Sequence, residues 1–251
     1  TVNWGQTNYS NYSNPFYGSK VGVNGEINKQ STSALRTNNV QTLTYFQDFD
    51  RHSVNVMVGH EYYKTTTKFL GAIAQGGFSP SIPEIDAFAK ISDASSYKSG
   101  YNVEGYFGSA QYNYDQKYFA SASFRRDASS YFAKENRWGN FWSVGGAWLI
   151  SKENFMQSSA SWLNMLKLKF SVGQQGNDNI GAYAYTDLYD LVPTGSTSMG
   201  ATFKRMGNPD ITWETTTNYN LGVEFSLWEG RLSGNVDYYV KKTSDLLFWL
   251  S

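Results

Sequence analysis

The chain has 251 residues, with 21 Lys and Arg against 21 Asp and Glu for a formal net charge of zero, which offers no electrostatic grip on nucleic acid or an anionic surface. It contains no cysteine, so a disulfide scaffold and a thiolate metal site are excluded. Charged residues make up only 17% and aromatic residues another 17%, with a mean hydropathy of −0.50; no apolar run nears the roughly 18 residues of a membrane helix, whereas a strand-built membrane wall keeps a low average because only alternate residues face lipid.

The chain opens on Thr1-Val2-Asn3-Trp4-Gly5 without a signal peptide, and reads as the interior of something longer. The first 38 residues are rich in Asn, Ser, Tyr and Gly, with a strand expected around 16–27. Clear strand signals begin near Asn39. After the Asp-rich turn 48–51, residues 52–64 alternate, with Val54, Val56, Val58 and Tyr62 against Ser53, Asn55, Gly59 and Glu61. Residues 65–100 show no sustained period and carry Pro80 and Pro83, which predicts a long loop.

Residues 101–114 alternate again, turn at Asp115-Gln116-Lys117, and return through 118–127 with Ala120, Ala122 and Phe124 opposite Ser121, Ser123 and Arg125. A polar loop, 128–139, precedes a strand at 140–151, and a short helical turn is expected at 152–161. Residues 162–175 place Leu166, Leu168, Phe170 and Val172 against Lys167 and Lys169. The stretch 176–212 reads as a loop with a short strand at 183–191. The clearest pair comes last: 219–227 and 232–240, joined at Glu229-Gly230, each apolar on one face and polar on the other. Residues 247–251 read as an interrupted strand.

Short connections (48–51, 115–117, 152–161, 229–230) alternate with long ones (65–100, 128–139, 176–212). In an up-and-down sheet this puts all short turns at one end, as in outer-membrane barrels with short periplasmic turns and long extracellular loops. Several runs exceed the roughly 9–11 residues of a tilted membrane strand. Tyr62, Tyr114, Tyr118, Trp142, Trp162, Trp228 and Trp249 are placed to form aromatic girdles at strand ends. About nine or ten strands are visible, and lipid would not tolerate their open edges. The fold class is therefore all-β: part of an antiparallel up-and-down transmembrane β-barrel, one domain over 1–251.

Spaced motifs then appear in order. They run from Tyr118 through Arg125-Arg126-Asp127, Arg137-Trp138-Gly139, Ser143-Val144 to Trp148, and Gly176-Asn177. Asn208-Pro209-Asp210, Trp213-Glu214-Thr215-Thr216, Gly230-Arg231-Leu232 and Asp237-Tyr238-Tyr239 follow, before Lys242-Thr243-Ser244-Asp245. This series resembles the barrel of SusC/RagA-type TonB-dependent transporters of Bacteroidota, densely from about Tyr101 and more weakly from Thr37. Ala128, Tyr131, Trp142 and Gly145 depart from the usual Gly, Arg, Pro and Ser. The resemblance implies a 22-stranded, plugged barrel in the Gram-negative outer membrane, with the plug and TonB box before Thr1 and the last strands after Ser251. It also implies TonB-dependent nutrient uptake of an oligosaccharide or peptide. The implied partners are a SusD-like surface lipoprotein as lid, TonB-ExbB-ExbD through the N-terminal part, outer-membrane lipid and a second transporter copy in a dimer. The alternative reading is a secreted or surface aromatic-rich β-sheet module that binds glycans.

Chemistry-bearing residues are sparse. His52 and His60 share a strand face, but Glu61 points the other way, which argues against a metal site. Ser, His and Asp occur without a nucleophile elbow, so no enzymatic activity, catalytic residue, cofactor or metal ligand is assigned, and no substrate-binding residue is named. Arg125 and Arg126 point to opposite faces, which favours a salt bridge with Asp127 over a ligand clamp. Trp213-Glu214 reads as an anchor at the start of a strand. Asp178 and Asp187 match no calcium-loop spacing. Arg125, Asp127, Lys167, Lys169, Glu224 and Asp237 are expected on the inward face, where both signs suit water and a plug better than an ion filter. Phe78, Phe88, Tyr97, Tyr131, Phe132, Tyr183, Tyr185 and Tyr189 are expected in loops, where they could stack on sugars or meet a lid.

Overall fold

Two-residue alternation builds almost the whole molecule. The structure is a computed structural model that describes residues 1–248. Among these the strands are β1 (Val2–Ser13), β2 (Glu26–Phe49), β3 (His52–Gly77), β4 (Phe88–Tyr114), β5 (Tyr118–Ser129), β6 (Trp138–Leu149), β7 (Leu163–Asn177), β8 (Leu188–Pro193), β9 (Met199–Arg205), β10 (Glu214–Leu227) and β11 (Leu232–Ser244). Nine form one sheet in the order β1-β2-β3-β4-β5-β6-β7-β10-β11, and β8 and β9 form a separate ribbon. Each strand of this sheet pairs with the next of its strands along the chain, β7 passing over the β8–β9 ribbon to β10, so the sheet is an antiparallel meander. β1 and β11 are the terminal strands of this order. Among the described residues no helix is long and apolar enough to cross a membrane.

Register follows the side-chain pattern. In β5 and β6, Ala122 pairs with Val144 and Phe124 with Trp142 on the apolar face, while Ser123 pairs with Ser143 on the polar face. In β10 and β11, Leu221 faces Tyr238 and Val223 faces Val236. A one-residue slip would turn every one of these side chains to the wrong side.

Three expectations need correction. Residues 65–100 are not a long loop: β3 continues to Gly77 and β4 starts at Phe88. The reason is physical. These extensions are rich in Ser, Thr, Gly and Ala on both sides, so strand pairing persists where the apolar alternation that reveals it has gone. The strand expected at 16–27 is a connection with a 3-10 turn at Val21–Val23, and strand residues lie before and after it in β1 and β2. The Glu229-Gly230 turn is wider than two residues, because Leu227 pairs directly with Leu232. Trp228, Glu229 and Gly230 all adopt positive φ there.

The other turns hold. The 152–161 segment is a 3-10 turn at Asn154–Ser159, the polar loop narrows to 130–137, and 176–212 carries the β8–β9 ribbon. The expected alternation of short and long connections holds only in part: 50–51, 115–117 and 228–231 are short, but the β6–β7 connection, 150–162, is longer than the opposite-end connections 78–87 and 130–137, because its 3-10 turns extend it. Of the expected girdle residues, Tyr114 and Tyr118 flank a short turn, while Trp162 and Trp228 lie just outside strands at that same end. Trp142 sits inside β6, and Tyr62 is the eleventh residue of β3 rather than its end. Trp249, and the interrupted strand beyond Phe248, lie outside the described residues.

The chain forms two compact units. One comprises 1–39 and 63–102. Its small core joins Ile27, Ala74 and Phe88, with Tyr12 and Ile85 packed against it. Glu26 accepts bonds from Lys20 and Gln75 beside that core. The other unit comprises 40–62 and 103–251. Its core gathers Phe132, Phe141, Ile180, Ala184 and Trp213 at the roots of the long connections. Burial of a large apolar side chain stabilises by about 1.5–3 kcal/mol, so this cluster fixes segments that the sheet itself does not hold.

Phe141 can occupy that cluster only because Gly176 lacks a side chain: a Cβ there would fall 2.1 Å from the ring. Gly176→Ala in the intact protein is expected to lower the thermal unfolding midpoint, with a cost of about 1–3 kcal/mol. Gly5→Ala, where a Cβ meets nothing within 4 Å, should leave the midpoint unchanged. Near-UV circular dichroism on heating measures both.

Candidate functional site

Odd-numbered residues of β3 to β7, even-numbered residues of β10 and odd-numbered residues of β11 share one face of the second unit, and that face is polar. Its strongest feature lies where β3, β4 and β5 run side by side. Arg125 donates from Nε to both carboxylate oxygens of Asp127 at 2.7 Å and from a terminal nitrogen to Glu61 at 2.8 Å. The guanidinium also covers the Phe107 ring at 5.3 Å. Arg125 and Asp127 lie down over Gly105, where a Cβ would be 2.2 Å from the Asp127 carboxylate. Two carboxylates around one guanidinium leave this cluster with a formal local charge of −1.

A second ion group lies further along the same face. Lys169 stands 3.5 Å from Asp237 and 3.9 Å from Glu224. Lys167 instead rests over the Phe119 ring at 5.6 Å. All six charges expected on the inward face therefore share one face. Glu61, the seventh, was not expected to join them: the sequence separation of 64 between Glu61 and Arg125 hides the pair, and only the odd-number parity of β3 and β5 gives it away.

Two hollows open on this face. One, of about 640 Å³, is lined by Asn55, Gln111, Asn113, Lys167, Lys169 and Asp237 with Phe46 and Phe119. The other, of about 560 Å³, combines the Arg125–Asp127 pair with Ser123, Ser143, Ser171, Gln175 and Asn218, under Phe141 and Trp213. Ser123 and Ser143 bond to each other at 2.7 Å, and Asn220 donates to Ser171 at 3.2 Å. Such a surface offers donors and acceptors with nearly balanced charge. It can hydrate, hold a neutral polar solute, or bond a protein segment.

The remaining expected site residues fall elsewhere. His52 meets the Tyr112 hydroxyl at 2.7 Å and packs on Phe49, and His60 lies against Tyr106 with Glu104 at 3.3 Å. Both are on the face opposite Glu61, and among the described residues no His, Cys, Asp and Glu cluster could hold a metal. Arg126 covers the Trp138 ring at 5.0 Å, away from Arg125. Asp178 accepts from Ser129 at 2.5 Å, and Asp187 from the Gly207 amide at 2.8 Å. Trp213 does anchor the start of β10: its indole donates to the Arg137 carbonyl at 2.8 Å while its ring meets Phe132 and Phe141. Glu214 accepts from Asn177 and from the Leu247 amide.

The loop aromatics divide. Phe88 and Tyr97 are strand residues of β4, and Phe88 is buried. Phe132 is fully buried and Tyr131 packs beside it. Tyr189 belongs to β8 and meets Phe203 edge-on. Phe78 and Tyr183 remain exposed in connections.

The other face is apolar and uncovered. Leu221, Val236, Tyr238 and Phe170 are each more than half exposed, which a water-facing sheet would not sustain over such an area. At the short-turn end a row of rings runs from Tyr114 to Tyr118 to Trp148, stacked at 6.2 and 6.4 Å, with Phe155 edge-on to Trp148. A sheet polar on one side and apolar with ringed margins on the other is the wall of a membrane barrel. The model of a family described as TonB dependent receptor-like, beta-barrel, matches residues 1–251.

The chain belongs to the TonB-dependent receptor-like β-barrel family. Within it the chain is of SusC/RagA type. It is 31% identical over 237 residues to TonB-dependent receptor P26 of Formosa agariphila, covering 90% of this chain and 24% of that protein. It is 36% identical over 166 residues to TonB-dependent receptor SusC of Bacteroides thetaiotaomicron, covering 63% of this chain and 16% of SusC. The structure of the RagAB peptide transporter superposes with a TM-score of 0.88 at 28% identity, over 98% of this chain and 27% of that one. The open-open state of the RagAB peptide importer gives 0.85. The chain thus spans between 16% and 27% of the length of these relatives. Among the described residues of the second unit the apolar face of the sheet stays exposed.

Two outcomes follow for the intact TonB-dependent receptor. Arg125→Ala leaves Glu61 and Asp127 facing each other without their shared cation. It is expected to cost about 1–3 kcal/mol, and Arg125→Lys should restore part of the loss; denaturant midpoints of the three proteins test this. Glu153, in the short connection after β6, accepts bonds from Tyr118 and the Trp148 indole, which hold its carboxyl below the usual range. A depressed carboxyl contributes stability above the ordinary glutamate pKa and loses it as pH falls through the lower folded value. Trp148 fluorescence should therefore shift in strongly acid solution in the parent and stay flat in Glu153→Gln.

Proposed function

We propose that the protein containing this chain imports a nutrient across the outer membrane, driven by TonB. The observation that carries this reading is the wall itself: a family-matched barrel sheet with a charge-balanced, hydrogen-bonding face and an uncovered apolar face. The polar face lines the lumen and the apolar face meets lipid. The short turns lie on the periplasmic side. The long connections, 78–87, 130–137 and 178–213, are extracellular.

The cargo is an oligosaccharide or a peptide, a solute too large for porins. Nearly neutral serine and amide surfaces support a polar cargo of either kind, and the structural relatives are described as a peptide importer. A SusD-like surface lipoprotein closes the extracellular mouth, TonB with ExbB and ExbD acts through the plug of the whole protein, and two transporter copies associate. Both faces of the sheet fit this role and neither presents a catalytic constellation.

Uptake of labelled oligosaccharides and peptides by cells with and without the full-length gene tests the proposal. Uptake of at least one class should disappear on deletion and also on loss of TonB. Uptake that persists unchanged in both strains, or a full-length protein soluble without detergent, overturns it.

A further inference from the structure

On the apolar face, the second unit has a groove of about 690 Å³. Its floor is made of Gly108, Ala110 and Ala122, which sit on the adjacent strands β4 and β5, with Ala110 directly opposite Ala122. Its sides are Val56 and Val58 from β3 and Phe124 from β5. Small residues between taller ones leave a channel whose floor and sides along this stretch are apolar.

One end of the groove is different. Arg126 lines it, three residues before β5 reaches its long connection. Arg126 is exposed, points to the lipid side and touches the Trp138 ring. Among the described residues no carboxylate pairs with it. The carboxylate of the neighbouring patch, Glu104, is taken up by the Tyr106 hydroxyl at 2.8 Å and by His60. An arginine on the lipid face of a barrel is costly unless it lies near the interface and finds an anion. Its planar fork matches phosphate in a bidentate manner. Tyr106 and Trp138, stacked at 6.3 Å, form the ring border where head groups begin.

We propose that this groove is a specific site for a phosphate-bearing lipid of the outer leaflet, with one acyl chain along Gly108, Ala110 and Ala122 and the phosphate on Arg126. The inference goes beyond nutrient import and rests on that reading only for which membrane leaflet Arg126 meets. Charge complementarity selects a phospholipid or phosphorylated glycolipid over a neutral one. The tail selects either over free phosphate.

The test is native mass spectrometry of the full-length detergent-purified transporter, titrated with a phosphorylated lipid A and its dephosphorylated counterpart. The parent should retain the phosphorylated lipid about tenfold better. Arg126→Gln should abolish that preference and leave weak binding of both. Ala122→Phe, which fills the groove, should weaken both. Inorganic phosphate at matched concentration should displace neither. Equal retention of the two lipids by the parent, an unchanged preference in Arg126→Gln, or displacement by inorganic phosphate overturns the site. So does an Ala122→Phe variant that becomes monomeric with its lipids intact, since the groove would then seat a second copy. Heat-modifiable migration of each variant reports folding separately, and a detergent-requiring, heat-modifiable protein without lipid preference removes this site while leaving the barrel and its import role standing.

Discussion

Every backbone amide and carbonyl in a hydrocarbon layer needs a partner within the protein. That demand dictates the rest of this structure. It requires long strands paired on both sides, a meander in which each strand bonds its sequence neighbours, and side chains sorted by parity alone. The sheet obeys it from β2 to β10. The polar face, the apolar face and the ring-lined margins are all consequences of fixing the backbone first. The outer strands of the described sheet, β1 and β11, expose the same demand unmet on one side each, and a closed barrel satisfies it.

How much of this was legible in the sequence depends on where two-residue alternation survives. In β5, β7, β10 and β11 one face meets lipid and the other water, so Leu166, Leu168, Phe170 and Val172 write their strand plainly. Beyond Tyr62, β3 has polar and small residues on both sides, and the same backbone leaves no amphipathic trace. The candidate wall was legible in part for the same reason. Lys167, Lys169, Glu224 and Asp237 announce their face through local alternation. Glu61 joins Arg125 only through strand pairing, which no local pattern reports. Phe88, expected in a loop, starts β4, and Phe132 keeps its loop position but is buried, because an aromatic in an irregular or small-residue stretch looks identical whether it covers a core or awaits a ligand.

The long connections are not loose appendages. Ser129 holds Asp178, Asn136 donates to the Pro209 carbonyl, and Thr212 and Trp213 donate to the carbonyls of Asn136 and Arg137. These cross-links bind the β5–β6 connection to the β7–β10 connection over a shared aromatic core. A segment fixed this way can present surface to cargo or partner without a large ordering cost on contact.

The glycines beneath the ion cluster have a further effect. Because Gly105 has no side chain, Arg125 and Asp127 recline against the wall instead of standing out from it, and Asp237 does the same over Gly222. Charge is thereby spread as a thin film along the strands. The height of the polar face at these points is then set by the backbone itself, and a bulkier residue at either glycine would tip a charged group outward from the wall.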